Sequence, residues 1–141
     1  MKEIILGFIL LIQGMIDLRY KEIPVWISVA GAVVGIVISL LEKREMLSIL
    51  LAILPGVIAL LFAKVSRETI GYGDGVLFLV MGMYMSWEEV LEIVILAFGI
   101  AGVCALILIV VFQKKRNYQI PFVPFLAASY LLCLEIGGMG R

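Results

Sequence analysis

Histidine is absent from the 141 residues of this chain, and cysteine occurs only twice, at Cys104 and Cys133. Without an imidazole, Ser-His-Asp catalysis and His-ligated metal sites are excluded within the chain. The two cysteines lie in separate apolar runs and form no CxxC pair, so neither a zinc ribbon nor a disulfide framework is indicated. We therefore expect no metal site and no cofactor.

Charged residues are also scarce, at 16% of the chain, and the formal net charge is zero. This balance argues against a nucleic-acid partner. Hydrophobic residues make up 64%, compared with about 45–50% in soluble proteins, and the mean hydropathy is +1.19. A soluble domain of this length cannot bury so much apolar surface, so we expect a protein whose solvent is the lipid bilayer.

A helix that spans a bilayer needs about 20 mostly apolar residues. The apolar residues of this chain fall into six segments that are candidates for such helices. We predict an all-α membrane protein with about six transmembrane helices in a single domain, residues 1–141. The six segments are Ile4 to about Asp17, Val25 to Leu41, Leu47 to Val65, Val76 to Met85, Val90 to Phe112 and Ile120 to Ile136.

Lysine and arginine are unevenly distributed between the two sets of loops. If the N-terminus is outside, seven of these residues fall on the cytoplasmic side: Arg19, Lys21, Lys64, Arg67, Lys114, Lys115 and Arg116. Four fall on the outer side: Lys2, Lys43, Arg44 and Arg141. We expect a multi-pass protein of the cytoplasmic membrane, and the positive-inside rule predicts that its N-terminus is outside.

Aspartate is as rare as cysteine, since the chain contains only Asp17 and Asp74, each at the edge of an apolar segment. Two predicted spans separate them, so the chain returns to the same membrane face. The charge count predicts that this face is cytoplasmic. Taken alone, Asp17 could be a solvated helix end or an ion-pair partner of Arg19 or Lys21. As a pair, the two residues are the candidate catalytic groups.

Two neighbouring carboxyl groups share a proton, because ionising both is costly. The ionised member can take a proton from water while the protonated member gives one to a carbonyl oxygen, which is aspartic-protease chemistry. Three glycines alternate around Asp74 in the segment GYGDG: Gly71, Gly73 and Gly75. We expect them to shape a loop that a substrate backbone can approach closely. On this hypothesis, Gly73→Val impairs activity more than stability.

Three segments resemble motifs of the type IV prepilin peptidases. The segment DLRYKEIP, from Asp17 to Pro24, resembles the first aspartate box of that family, D-x-R-x-x-x-I-P. The segment GYGD, from Gly71 to Asp74, resembles its G-x-G-D box, and IPFVPFLA, from Ile120 to Ala127, resembles its closing I-P-F-G-P-F-L-A segment. The three matches occur in the family's order and cover most of the chain.

The resemblance implies an integral-membrane aspartic endopeptidase with Asp17 and Asp74 as its catalytic dyad. Family members remove a short basic leader from prepilins or prepilin-like proteins at the cytoplasmic membrane face. The implied partner is therefore a prepilin-like substrate with a basic leader and an apolar helix. The oligomeric state is not indicated.

The sequence departs from the family pattern at three places. Long members carry an N-terminal domain with CxxC pairs that accompanies N-methylation, and this chain resembles the short form without it. The family often has lysine two residues after the GxGD aspartate, where this chain has Val76. Val123 stands where glycine is common in the closing segment.

Supporting roles are expected for several neighbours of the two aspartates. Arg19 and Lys21 would anchor their loop to anionic lipid or position a basic leader. Pro24 and Pro121 would start helices, where a missing N–H costs little. We expect Pro121 and Pro124 of the closing segment to be mainly structural.

Three other classes of function remain open at this point. A small transporter would spread ionisable groups across the bilayer depth. A non-catalytic pilus or secretion assembly factor would tolerate loss of both aspartates. Another GxGD intramembrane protease would carry them deeper in the bilayer.

Overall fold

The computed structural model describes residues 1–65, 71–112 and 120–137, and this part of the chain forms six α-helices and no strand. The prediction of an all-helical chain with one helix for each of the six apolar segments is confirmed. The helices are α1 (Lys2–Tyr20), α2 (Val25–Leu41), α3 (Met46–Val65), α4 (Tyr72–Tyr84), α5 (Trp87–Val110) and α6 (Val123–Gly137).

Helices α1 and α4 extend beyond the predicted apolar segments at the ends that carry the two aspartates. Helix α1 continues past Asp17 to Tyr20, and α4 begins at Tyr72 instead of Val76. The expected loop around Asp74 is therefore wrong. Gly71 is the N-cap of α4, and its carbonyl accepts a hydrogen bond from the Asp74 N–H at 3.1 Å. An acidic residue in the first turn also suits the positive end of the helix dipole.

The short helix α4 lies at the centre of the bundle. It packs against α1, α2, α3 and α5, while α6 packs between α1 and α5. Its side chains Leu77, Phe78, Val80 and Met81 belong to the hydrophobic core and are nearly or completely buried. Because α4 is enclosed by the longer helices, a residue in its first turn is held by contacts from several directions.

Glycines allow α4 to approach its neighbours closely. A Cβ on Gly82 would collide with the backbone carbonyl of Ala52 in α3, so this contact requires glycine. The Gly31 and Gly35 pair of α2 also faces inward, and a Cβ on Gly35 would lie 2.7 Å from the ring of Tyr84. The GxxxG pattern of α2 therefore serves packing within the chain.

Many apolar side chains lie on the outside of the bundle. The helices α3 and α5 are long and apolar enough to cross a membrane. On α2, Trp26 and Leu41 are 73% and 78% exposed. A surface of this kind suits contact with lipid. The number of spans and the outside N-terminus stay predictions, and five of the counted cations lie outside the described residues: Arg67, Lys114, Lys115, Arg116 and Arg141.

Arg44 holds the C-terminal end of α4, at the end of the bundle away from the aspartates. Its guanidinium donates to the carbonyls of Gly82, Met83 and Met85 at 3.3, 3.0 and 2.8 Å. These carbonyls belong to the last turn of α4 and its C-cap, where helical hydrogen-bond partners run out.

We predict that Arg44→Met destabilises the protein by about 1–3 kcal/mol, because the carbonyls of Gly82 and Met85 lose this donor, while Ser39 still donates to the Met83 carbonyl. Denaturation in detergent micelles, followed by circular dichroism, measures this effect. The exposed neighbour Glu45, changed to Gln, is the control and should leave the midpoint unchanged. Equal midpoints for the two variants would contradict the assigned role of Arg44.

Candidate active site

Asp17 lies in the last turn of α1 and is buried, with 5% of its surface exposed. Its Oδ2 atom accepts a hydrogen bond from the backbone N–H of Val123 at 3.1 Å, and the N–H of Phe122 contributes a second, weaker interaction. Val123 is the first residue of α6. The buried carboxylate therefore satisfies a donor at the start of the last helix.

Asp74 lies in the first turn of α4 and is half-buried. Its carboxyl group lies over Gly71, because a Cβ added to that glycine would sit 3.2 Å from Asp74 Oδ2. Ile23, in the connection after α1, lies against Gly73 beside Asp74, so the last turn of α1 and the first turn of α4 are neighbours. The structure thus brings the two predicted catalytic residues together at one end of the bundle.

A buried polar pair holds α1 against α2 one helical turn before Asp17. The Gln13 amide donates to Ser28 Oγ at 3.0 Å, the Ser28 hydroxyl donates back at 3.3 Å, and both side chains are fully buried. Residues four apart share a helix face, so Gln13 and Asp17 point to the same side of α1. Gln13 was missed by sequence reasoning, although it is a lone polar residue within the first apolar segment.

The closing segment lies directly against Asp17. Pro121 precedes α6, and Pro124 is its second residue. Gly14 of α1 faces this turn, and a Cβ there would be 3.5 Å from the Pro124 Cα. The two prolines therefore belong to the turn that presents the Val123 N–H. Sequence reasoning missed Val123 because its contribution is a backbone group, which no side-chain pattern signals.

The glycines around Asp74 have different surroundings from those expected. A Cβ on Gly73 would lie 2.6 Å from Ile23 Cδ1 and 2.7 Å from Ile23 Cβ, and a Cβ on Gly75 would lie 2.8 Å from Leu60 Cδ2. The space beside these two glycines is filled by the chain itself, so the expectation that a substrate backbone approaches there is not supported. Gly71 is exposed and faces the Asp74 carboxyl.

The remaining predicted residues lie in the last turn of α1 and in the connection to α2. Arg19 is exposed, with its guanidinium carbon 6.0 Å from the centre of the Tyr20 ring. Lys21 is also exposed and adopts a left-handed conformation (φ 54°) as the C-cap of α1, where its N–H donates to the Asp17 carbonyl at 2.8 Å. Pro24 is the N-cap of α2. This short connection comes soon after Asp17, and its residue Ile23 packs against Gly73.

The donor set at this end favours acid–base chemistry over metal binding. Within residues 1–65, 71–112 and 120–137 there is no cluster of three or more metal-ligating side chains. The site offers one buried, hydrogen-bonded carboxyl and one half-buried carboxyl beside it. Two such groups can exchange protons with a water molecule and a polar substrate.

A cavity of about 350 Å³ lies at the end of the bundle opposite the two aspartates. Several of its ionic groups are already bound within the chain: Lys2 pairs with Glu42 at 2.9 Å, and Glu89 accepts from the Ser86 N–H at 2.8 Å. It is far along α1 from Asp17, so it is not the candidate active site.

We predict that Gly73→Ala destabilises the protein by about 1–3 kcal/mol, because the new methyl group overlaps Ile23. Gly71→Ala should leave stability nearly unchanged, since its Cβ meets only the rotatable Asp74 carboxyl. Thermal unfolding in micelles compares the two variants. If Gly73→Ala is as stable as Gly71→Ala, the packing role of Gly73 is wrong and the original expectation of substrate approach regains support.

Comparison with known proteins identifies the group to which this chain belongs. The model of the type IV leader peptidase family matches residues 4–107. The match includes both aspartates and ends before the closing segment. The comparisons with curated proteins and with solved structures found no match. Because the family model covers well over half of the sequence, the chain belongs to the type IV leader peptidase family.

Proposed function

We propose that this protein is a membrane aspartic endopeptidase that removes the basic leader from type IV prepilin-like proteins. One observation carries the proposal: the only two aspartates of the chain, 57 positions apart in sequence (74 − 17), lie at the same end of the bundle, in the last turn of α1 and the first turn of α4. Membership of a leader peptidase family supports the peptidase activity and a prepilin-like substrate.

The proposed reaction is hydrolysis of a peptide bond by water. One carboxylate of the Asp17 and Asp74 pair acts as the base that takes a proton from water. The other carboxyl group donates a proton to the carbonyl oxygen of the scissile bond. The half-exposure of Asp74 supports access for water and substrate to the pair.

The position of the dyad at a helix end suits a substrate anchored in the same membrane. Asp17 is in the last turn of α1 and Asp74 in the first turn of α4. A cleavage site that borders an apolar helix would then lie level with the aspartates. We place this end at the cytoplasmic face of a multi-pass protein, because the lysine and arginine count favours that side.

The alternatives receive less support from the described residues. A proton or ion path would need ionisable groups along the bilayer depth, but the buried polar side chains in the described ranges are Asp17, Gln13, Ser28, Ser39 and Ser129. Only Asp17 among these is ionisable. A protease that cuts deep in the bilayer would carry its carboxyl groups farther from the helix ends.

We predict that Asp17→Asn and Asp74→Asn each reduce leader removal by about 100-fold or more, because each variant loses a general acid or base. The measurement is co-expression with prepilin-like proteins encoded nearby, with cleavage followed by gel shift. Glu22→Gln is the matched control, since Glu22 is an exposed acid in the segment after α1.

Membrane abundance of every variant is measured in parallel, which separates lost chemistry from lost protein. Continued cleavage by either Asp variant would overturn the dyad. If the wild-type protein cleaves none of the candidates while it is abundant and folded, the assembly-factor and transporter functions gain support over the peptidase.

A further inference from the structure

The two aspartates differ in the donors that reach them. Asp17 Oδ2 accepts the Val123 N–H at 3.1 Å inside the protein. Across the described ranges, no residue donates a hydrogen bond to the Asp74 carboxyl group. A hydrogen bond from an N–H stabilises the ionised form of a carboxyl group, and a buried site without a donor disfavours it.

The donor on Asp17 also belongs to a helix N-terminus. The first N–H groups of a helix have no partner within it, and that end of the helix carries partial positive charge. Val123 is the first residue of α6, so its N–H is one of these groups. A negative charge on Asp17 therefore satisfies the start of α6, whereas a proton there would weaken this interaction.

From this asymmetry we infer that Asp17 carries the negative charge and acts as the base, while Asp74 carries the proton and acts as the acid. Val123 is then a positioning residue that acts through its backbone N–H. The roles as base and acid rest on the proposed function. The inference that Asp17 is ionised and Asp74 is protonated does not depend on it.

The assignment gives a balanced reaction. Asp17 takes a proton from water, the water oxygen bonds to the carbonyl carbon, and Asp74 gives its proton to the carbonyl oxygen. In the second step the carbon–nitrogen bond breaks, the leaving nitrogen takes the proton from Asp17, and one hydroxyl of the intermediate returns a proton to Asp74. Both aspartates end in the states in which they began.

Basic side chains at this end do not oppose the assignment. On the elements around the pair, α1, the α1–α2 connection and α3, the described cations are Arg19, Lys21 and Lys64, and all three are exposed. The acid in the same connection, Glu22, is exposed as well. Solvent screens such groups. Burial acts on both aspartates in the same direction, so the Val123 hydrogen bond to Asp17 is the contact that distinguishes them.

The first test is carbon-13 NMR of the full chain in micelles, labelled at the aspartate carboxyl carbon. Because the chain has only two aspartates, two signals are expected, and Asp74→Asn identifies the signal of Asp17. We expect Asp74 to take up its proton at a pH higher by about one to two units, the shift that a hydrogen bond to a charged group produces. Protonation of Asp17 first, or of both together, would overturn the assignment.

The second test removes the donor alone. Val123→Pro lacks the N–H but suits the first position of a helix, and Val123→Ala keeps the N–H while shortening the side chain. Val123→Pro should raise the protonation midpoint of Asp17 by about one unit, and Val123→Ala should not. For leader cleavage, Val123→Pro should lower kcat, shift the acid limb of the pH profile upward and leave KM nearly unchanged. The same midpoint in both variants would overturn the positioning role.

The two NMR readouts do not require a substrate. A protein with the expected charge distribution but no peptidase activity would refute the proposed function and leave the charge assignment standing. An active peptidase in which Asp17 holds the proton would refute only the assignment.

Discussion

The hydrogen bond from the Val123 N–H to Asp17 connects the first helix of the chain to the last. A buried carboxyl group is costly unless a donor satisfies it, and the first N–H of a helix is equally in need of a partner. The hydrogen bond therefore satisfies both the Asp17 carboxyl group and the Val123 N–H. The small Gly14 allows the Pro124 turn to lie against α1, which brings the donor to its place. The geometry of the site depends on this junction.

The central position of α4 explains how Asp74 comes to the same place. Glycine has a low intrinsic helix propensity, and each glycine within a helix costs about 1 kcal/mol relative to alanine. Here the absence of side chains lets Ile23 and Leu60 pack directly on the first turn, at Gly73 and Gly75. Packing therefore compensates for propensity, and Asp74 is fixed by a helix that other helices enclose.

The sequence predicts the six helices well because long apolar runs in a lipid-like composition leave few alternatives. It also predicts the aspartate pair, through rarity and the parity of the spans. It fails at the start of α4, since a GYGDG segment indicates a loop unless the neighbours Ile23 and Leu60 are known. It also fails at Val123, whose residue type says nothing about the donor that it supplies. Tertiary contacts decide both features.

Polar groups at the two ends of the bundle differ in how many hydrogen-bond partners they have, and this difference is relevant to function. At the far end, Arg44 is bound to three carbonyls and Lys2 to Glu42, so those groups are engaged within the chain. At the near end, Asp17 is engaged, but in the described part of the chain no donor reaches the carboxyl of Asp74. A half-buried carboxyl next to a satisfied one is poorly explained by stability, because it incurs desolvation without a compensating bond. This is consistent with the proposed function, in which the substrate is the partner of Asp74.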